Sequence, residues 1–346
     1  MTTPTPMPTG LRILLTLASL IVVATGTWAA RPILVPVLFA AFLAIISGPA
    51  MTWLIQRRVP RPAALLMVVL GMAAIGVTVV IVIGQSLYSF RDNLETYKEP
   101  LQQKVAAITD RLTEAGVEMS ESALADNLNT DNAVDYLKTL LGSLTNLFGK
   151  GLFVLFSFVF IVLEATGFPD KVAAMPGDTS ARLERWQKII TETRRYFALK
   201  TIISLVTGVT IGVLLVVLKV PYAPLWALMA FLFNFIPNIG SIIAAVPPIV
   251  VTFIVLDTST LIWVIAIYLA VNLLVGNMIE PRIMGKGLGL STLVVFLSLV
   301  VWGFVLGPVG MLLSVPLTMV VKIVLTASDD TRWLGLLLSD EVAEPV

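Results

Sequence analysis

Residues 221–256 read PYAPLWALMAFLFNFIPNIGSIIAAVPPIVVTFIVL, an apolar stretch cut in its middle by Pro237, Asn238 and Gly240. A second stretch, residues 291–325, reads STLVVFLSLVVWGFVLGPVGMLLSVPLTMVVKIVL and is cut by Gly307, Pro308 and Gly310. A broken backbone leaves amide and carbonyl groups that lipid does not satisfy, so such breaks persist at membrane depth only where protein or a cavity covers them. Paired breaks in corresponding positions are the sequence feature that points to a substrate path in secondary transporters.

The rest of the chain places these two segments in a membrane. Hydrophobic residues make up 57% of it and charged residues 13%, against about 45–50% and about 25% in soluble domains. The mean hydropathy is +0.94. The net charge of +1 gives no footprint for nucleic acid, and there is no cysteine or histidine. Disulfides, thiol chemistry, iron–sulfur clusters, the usual zinc sites and every histidine-based triad are thereby excluded. No nucleophile–base pair is evident, so the expectation is a non-enzyme with no cofactor and no metal.

Residues 1–10 are polar and proline-rich and read as a disordered tail. Apolar runs of about 20 residues predict crossing helices. They fall at 11–30, 33–55 and 62–84 (an N-terminal block over 11–84), then at 151–168, 201–218 and 261–279. Residues 85–150 are polar between them. Up to Gly149 this region holds five basic and ten acidic residues, a net charge of −5. Leu94, Tyr97, Leu101, Val105, Ile108 and Leu112 recur there at spacings of three and four, predicting an amphipathic helix. A second helix start is expected near Ser120, and the leucines from Leu137 to Leu147 continue a helix into the fourth crossing.

Basic loops orient the chain. Arg57, Arg58 and Arg61 crowd the short turn after 33–55. The 169–200 linker carries seven basic residues against four acidic ones. Both are expected in the cytoplasm, with the amino terminus, while 85–150 lies outside. The first broken stretch then enters from outside and the second from the cytoplasm, leaving the 327–346 tail cytoplasmic. The arms are long enough either to cross or to stop partway. The unit of crossing helix plus broken hairpin occurs twice in 201–326 with opposite orientation. Pro237, Gly240 and Pro247 in one hairpin match Pro308, Gly310 and Pro316 in the other. The expected fold is an all-α polytopic membrane protein of six spanning helices plus two Pro/Gly-broken hairpins in an inverted repeat, with a small extramembrane helical region.

The C-terminal half carries NFIPNIGS at 234–241, PP at 247–248, GNMIEPRIMGKGLGLS at 276–291 and GPVGMLLSVP at 307–316. With these motifs the chain resembles the autoinducer-2 exporter family, the PerM-like permeases. The earlier helices and chain length fit the same family. The resemblance implies a multi-pass protein of the bacterial inner membrane that assembles as a homo-oligomer, a pentamer, and exports autoinducer-2 or a similar small polar solute. Sodium (cation)/proton antiport, linked to other branches, is the alternative.

Candidate path residues are Asn234, Pro237, Asn238, Gly240 and Ser241 at the first tip, Asn277 and Glu280 at the end of the sixth crossing, and Gly307, Pro308 and Gly310 at the second tip. The amides and hydroxyl suit a small uncharged polar solute, and equally suit satisfaction of the backbone freed by Pro237. Glu164 and Glu280 are the carboxylates within or next to crossings and the candidates for proton coupling. Asn272 and Asn277 also suit hydrogen bonding between helices. The glycine-rich 285–289 segment lacks the spacing of a phosphate loop, which argues against an ATP-driven pump.

Overall fold

A computed structural model describes residues 9–114, 150–173, 179–237, 239–280, 290–326 and 330–340, with isolated positions between them. Asn238, the helices expected near Ser120 and over Leu137–Leu147, and the 283–289 glycine segment lie outside the described residues. The described elements are helical. We label them α1 (Thr9–Gln56), α2 (Arg61–Asp92), α3 (Leu94–Glu114), α4 (Gly151–Ala173), α5 (Thr179–Val217), α6 (Ala223–Phe233), α7 (Ile239–Val255), α8 (Thr258–Asn272), α9 (Thr292–Leu306), α10 (Pro308–Thr326) and α11 (Arg332–Leu337). A π-helical segment, Leu273–Ile279, continues α8.

Five described helices are long and apolar enough to cross a membrane: Ile21–Gln56, Arg61–Phe90, Ile190–Val217, Thr258–Gly276 and Pro308–Thr326. Four shorter apolar helices accompany them. This differs from the six crossings expected from hydropathy. The runs at 11–30 and 33–55 are one helix of 48 residues that contains Pro32, Pro36 and Pro49. Proline removes one amide donor and kinks a helix. Reversal needs more, a break in the helix itself, and α1 continues through Arg31-Pro32. The fourth apolar run lies in α4, whose described apolar part is Gly151–Ala165.

The broken stretches form two helix–break–helix hairpins. In the first, α6 has 11 residues and α7 has 17. In the second, α9 has 15 and α10 has 19. At about 1.5 Å per residue, α6 covers about 16 Å, well short of a hydrocarbon core of about 30 Å. The first arm of this hairpin is therefore too short to cross by itself. The two breaks share one feature, a glycine crowded by the end of the preceding arm. A Cβ on Gly240 would lie 1.8 Å from the Phe233 carbonyl oxygen and 2.9 Å from the Ile236 Cβ. A Cβ on Gly310 would lie 2.0 Å from the Trp302 carbonyl oxygen and 2.6 Å from the Leu306 Cβ. In each hairpin the second arm starts so close to the end of the first that glycine alone fits.

Helix α5 is the post on which the core is built. It packs extensively on α6 and also touches α1, α4, α8 and α10. Gly208 and Gly212, one turn apart, allow the close approach of α6. A Cβ on Gly208 would lie 2.8 Å from the Ala227 oxygen, and one on Gly212 would lie 2.6 Å from the Ala227 Cβ. In lipid, where apolar surface gains little by leaving the solvent, such small-residue contacts carry helix association. Gly212→Leu is expected to pry α6 from α5 and lower the thermal unfolding midpoint in detergent. Gly71→Leu, whose Cβ would meet nothing within 4 Å, serves as the neutral comparison. Equal midpoints would refute this role.

The amphipathic α3 lies across both feet of the first hairpin. The hydroxyls of Tyr97 and Tyr222 are 2.8 Å apart, and the Asn93 amide donates to the Ser89 carbonyl. Tyr222 stands just before α6 with φ 61°, a left-handed conformation uncommon for a residue with a side chain. Burial, with the Tyr222 hydroxyl second, pushes the Tyr97 phenol up from its ordinary range. Lys104 donates to the carbonyls of Phe253 and Leu256 at the end of α7. A cation there also complements the negative end of the helix dipole.

Asp257 caps α8, accepting from the Thr260 amide at 3.0 Å and the Thr260 hydroxyl at 2.7 Å. These bonds, the hydroxyl first, hold its carboxyl below the usual carboxylate range. Its contribution to α8 is complete above the ordinary carboxylate pKa and is lost as pH falls through the lowered one. Asp257→Asn is therefore expected to flatten the acid side of a stability–pH curve. A profile superimposing on that of the unaltered protein would exclude the cap's role.

Candidate functional site

The buried face of α5 is polar along part of its length. Thr193, Tyr196, Lys200, Ser204 and Thr207 recur at spacings of three and four, and all five are buried. They share one face of the helix, within the apolar crossing Ile190–Val217. The Thr207 hydroxyl donates back to the Ile203 carbonyl at 2.9 Å. The Thr193 hydroxyl is buried and has no hydrogen-bond partner among the described residues.

Two of the expected site residues meet this column. The Asn234 side-chain amide, at the end of α6, donates to the Ser204 hydroxyl at 3.0 Å. The Glu280 carboxylate accepts from the Lys200 ammonium at 2.5 Å. Lys200 and Ser204 are one helical turn apart, so α5 holds the first tip and Glu280 side by side. The Lys200 side chain is 3% exposed and that of Glu280 is 25% exposed. Taking a charge out of water costs several kcal/mol unless a partner compensates it, and here each charge is the other's partner. Tyr196 lies within electrostatic range of Glu280.

The π-helical segment sets the position of Glu280. The Glu280 amide bonds to the Val275 carbonyl, five residues back. Such wide turns are rare and recur at functional sites. Asn277 lies in this segment. Around the first tip, the Ile236 amide bonds to the Phe233 carbonyl at 2.8 Å and the Ile239 amide to the Pro237 carbonyl at 2.6 Å. Much of the backbone freed at the break is thus satisfied locally, which leaves the Asn234 side chain to bond α5. Ser241 is half-buried in the first turn of α7.

The second tip is built differently. Gly307 has φ 74°, the left-handed region that favours glycine, and Pro308 starts α10. The buried hydroxyls of this hairpin bond within it. The Ser314 hydroxyl donates to the Met311 carbonyl at 2.8 Å, and the Trp302 indole donates to Thr318 at 3.0 Å. Among the described elements no helix of one hairpin has an extensive interface with a helix of the other; both pack on α5. Glu164 lies apart from both tips. It is on the exposed face of α4, paired with Lys171, and both side chains are more than half exposed.

Sequence reading assigned Lys200 to the end of a cytoplasmic basic linker, and it passed over Tyr196, Ser204 and Thr207. A signal was present, in polar side chains at helical spacing that run into an apolar crossing. The Lys200–Glu280 pairing itself joins residues 80 apart and has no local signature.

An all-helical, multi-pass membrane protein with a broken hairpin docked on a polar helix face belongs to the class of membrane transport proteins. Residues 17–330 match the model of the AI-2E family transporters, and the chain belongs to that family, a family of transporters and not of enzymes. It is 38% identical over 333 residues to the AI-2 transport protein TqsA of Escherichia coli (strain K12), covering 96% of each chain. It is 37% identical over 338 residues to YhhT of the same strain, covering 98% of this chain and 97% of that one. A relative from Haemophilus influenzae is 36% identical over 336 residues, 95% of this chain and 96% of its own.

Proposed function

We propose that this chain exports autoinducer-2, or a small polar solute like it, across the bacterial inner membrane along the polar face of α5. The observation that carries the reading is the meeting of Asn234, Ser204, Lys200 and Glu280 at a hairpin break. Neutral amide and hydroxyl groups there match the hydroxyl-rich chemistry of such a solute, and the buried Thr193 hydroxyl, without a partner among the described residues, adds a donor on the same face. The matching collisions at Gly240 and Gly310 support reading the two hairpins as an inverted repeat. Relatives of near-equal length, one of them named for AI-2 transport, support the choice of solute.

Arginines at 57, 58 and 61 place the α1–α2 turn in the cytoplasm. An unbroken α1 supports a single crossing with residue 9 on the outer side, whereas two separate crossings would leave the amino terminus in the cytoplasm. The carboxyl terminus stays cytoplasmic. The first hairpin enters from outside. Its Asn234 reaches Ser204, thirteen residues before the end of α5 at Val217, or about 20 Å deep. The protein works as a homo-oligomer, a pentamer, as the family resemblance implies.

Cation/proton antiport is favoured by one observation, a carboxylate at Glu280 held inside the protein. The two readings separate in proteoliposomes. Export predicts autoinducer-2 efflux that falls in Asn234→Ala and persists without a sodium gradient. Efflux no faster than from empty liposomes, with sodium-driven proton movement that Glu280→Gln abolishes, would replace export by antiport.

A further inference from the structure

We infer that a groove between α1, α4 and α5 holds an anionic phospholipid, with its phosphate between Arg61 and Arg194 and its acyl chain along the helices. The groove encloses about 410 Å³. Its walls are apolar or small, including Ile45, Met51, Ile161, Val162 and Ile190, and the two guanidiniums stand among them. Arg194 lies across Gly48, where a Cβ would come within 3.4 Å of its Nε. The guanidinium thus packs against α1 at Gly48, where an added Cβ would make ordinary contact with it.

The polar residues of the lining do not compete for the anion. The Ser47 hydroxyl donates to the Ala44 carbonyl at 3.1 Å, and that of Thr52 to the Gly48 carbonyl at 2.6 Å. Among the described residues neither Arg61 nor Arg194 is paired with a carboxylate. Glu164, next to the lining residue Ala165, is tied to Lys171. Trp53 and Arg57 mark the level of the groove. The Arg57 guanidinium stacks on the Trp53 ring at 4.4 Å, and Trp53 is half exposed. Tryptophan and arginine concentrate where hydrocarbon meets head groups. The groove lies at the helix ends beside the arginine-rich turn, and basic pockets between crossing helices at that level suit anionic head groups. Two guanidiniums without a carboxylate partner at head-group level favour an anionic lipid as occupant. The path along α5 uses the face bearing Lys200 and Ser204, so this site is separate from the transport route.

The test uses the full-length protein, stripped of lipid in neutral detergent. Phosphatidylglycerol, phosphatidylcholine and glycerol phosphate are titrated separately while the unfolding midpoint is followed, and native mass spectrometry counts retained lipids. The expected result is a saturable rise with phosphatidylglycerol that phosphatidylcholine and glycerol phosphate do not produce. Arg194→Gln should weaken it about fivefold, and Arg61→Gln/Arg194→Gln about thirtyfold, at roughly one charge contact each. Gly48→Leu, which fills the groove and leaves both charges, should weaken it too. Retention of Arg194→Lys near the unaltered affinity would fit the same site. An equal response to phosphatidylcholine, full activity of glycerol phosphate, or undiminished binding in the double variant would each overturn the assignment. If the arginine variants do not fold, a native spectrum of the unaltered protein without a retained phosphatidylglycerol would do the same.

Discussion

Lys200→Met is expected to destabilise the protein by about 3–5 kcal/mol, the usual consequence of stranding one member of a buried ion pair. The partial exposure of Glu280 places the effect toward the lower end. Replacing both partners, Lys200→Met with Glu280→Leu, should restore most of the loss, because two apolar side chains of similar size leave no charge to compensate. Transport should not return with stability, since the polar face of α5 would then lack its only described ammonium group. Thermal unfolding in detergent measures the first effect and solute efflux from proteoliposomes the second. A single variant as stable as the unaltered protein would show that the pair does not hold α8 to α5. A double variant with normal efflux would remove the pair from the route.

Gly240→Ala should be nearly as damaging for a different reason. The added methyl would collide with a backbone oxygen and with Cβ of Ile236, neither of which swings aside like the end of a long side chain. Overpacking costs about 1–3 kcal/mol in ordinary cores and more where backbone must move, and this site belongs to the second kind. The matching Gly310→Ala should behave alike, since it meets Trp302 in the same way. Gly276→Ala, with nothing within 4 Å, is the comparison that isolates the steric effect. Should Gly240→Ala unfold at the same temperature as Gly276→Ala, the close approach would have no energetic weight.

The hairpins were legible in the sequence because their breaks are chemical. Proline and glycine interrupt an apolar run whatever the rest of the fold does, and the breaks stand where Pro237–Gly240 and Gly307–Gly310 put them. Chain reversal in the first 56 residues was overread, because hydropathy sees apolar length and is blind to whether Arg31-Pro32 bends the chain or turns it back. The site was legible in half. Asn234 and Glu280 stand out as polar groups in apolar surroundings. Lys200 was hidden by its company, since Lys171, Arg194 and Arg195 of the same basic linker are exposed while Lys200, at another helical angle, faces inward. The partner that makes its burial tolerable arrives from a distant helix.

The wide turn that ends α8 has a geometric consequence. Successive residues of an α-helix are rotated by about 100°, so a π-helical segment is equivalent to an extra residue taken up without breaking the helix. Deleting one residue between Leu273 and Ile279 would let the segment relax to ordinary α-helix while Val264 and Tyr268 kept their packing. Glu280 would then keep its side of the helix, whereas rewinding the segment to ordinary α-helix with no residue removed would turn everything beyond by about 100° and swing the Glu280 carboxylate off Lys200. The register of one carboxylate is thus stored in seven residues of irregular winding, and a change of winding is a motion by which this helix can release Lys200 without moving its axis.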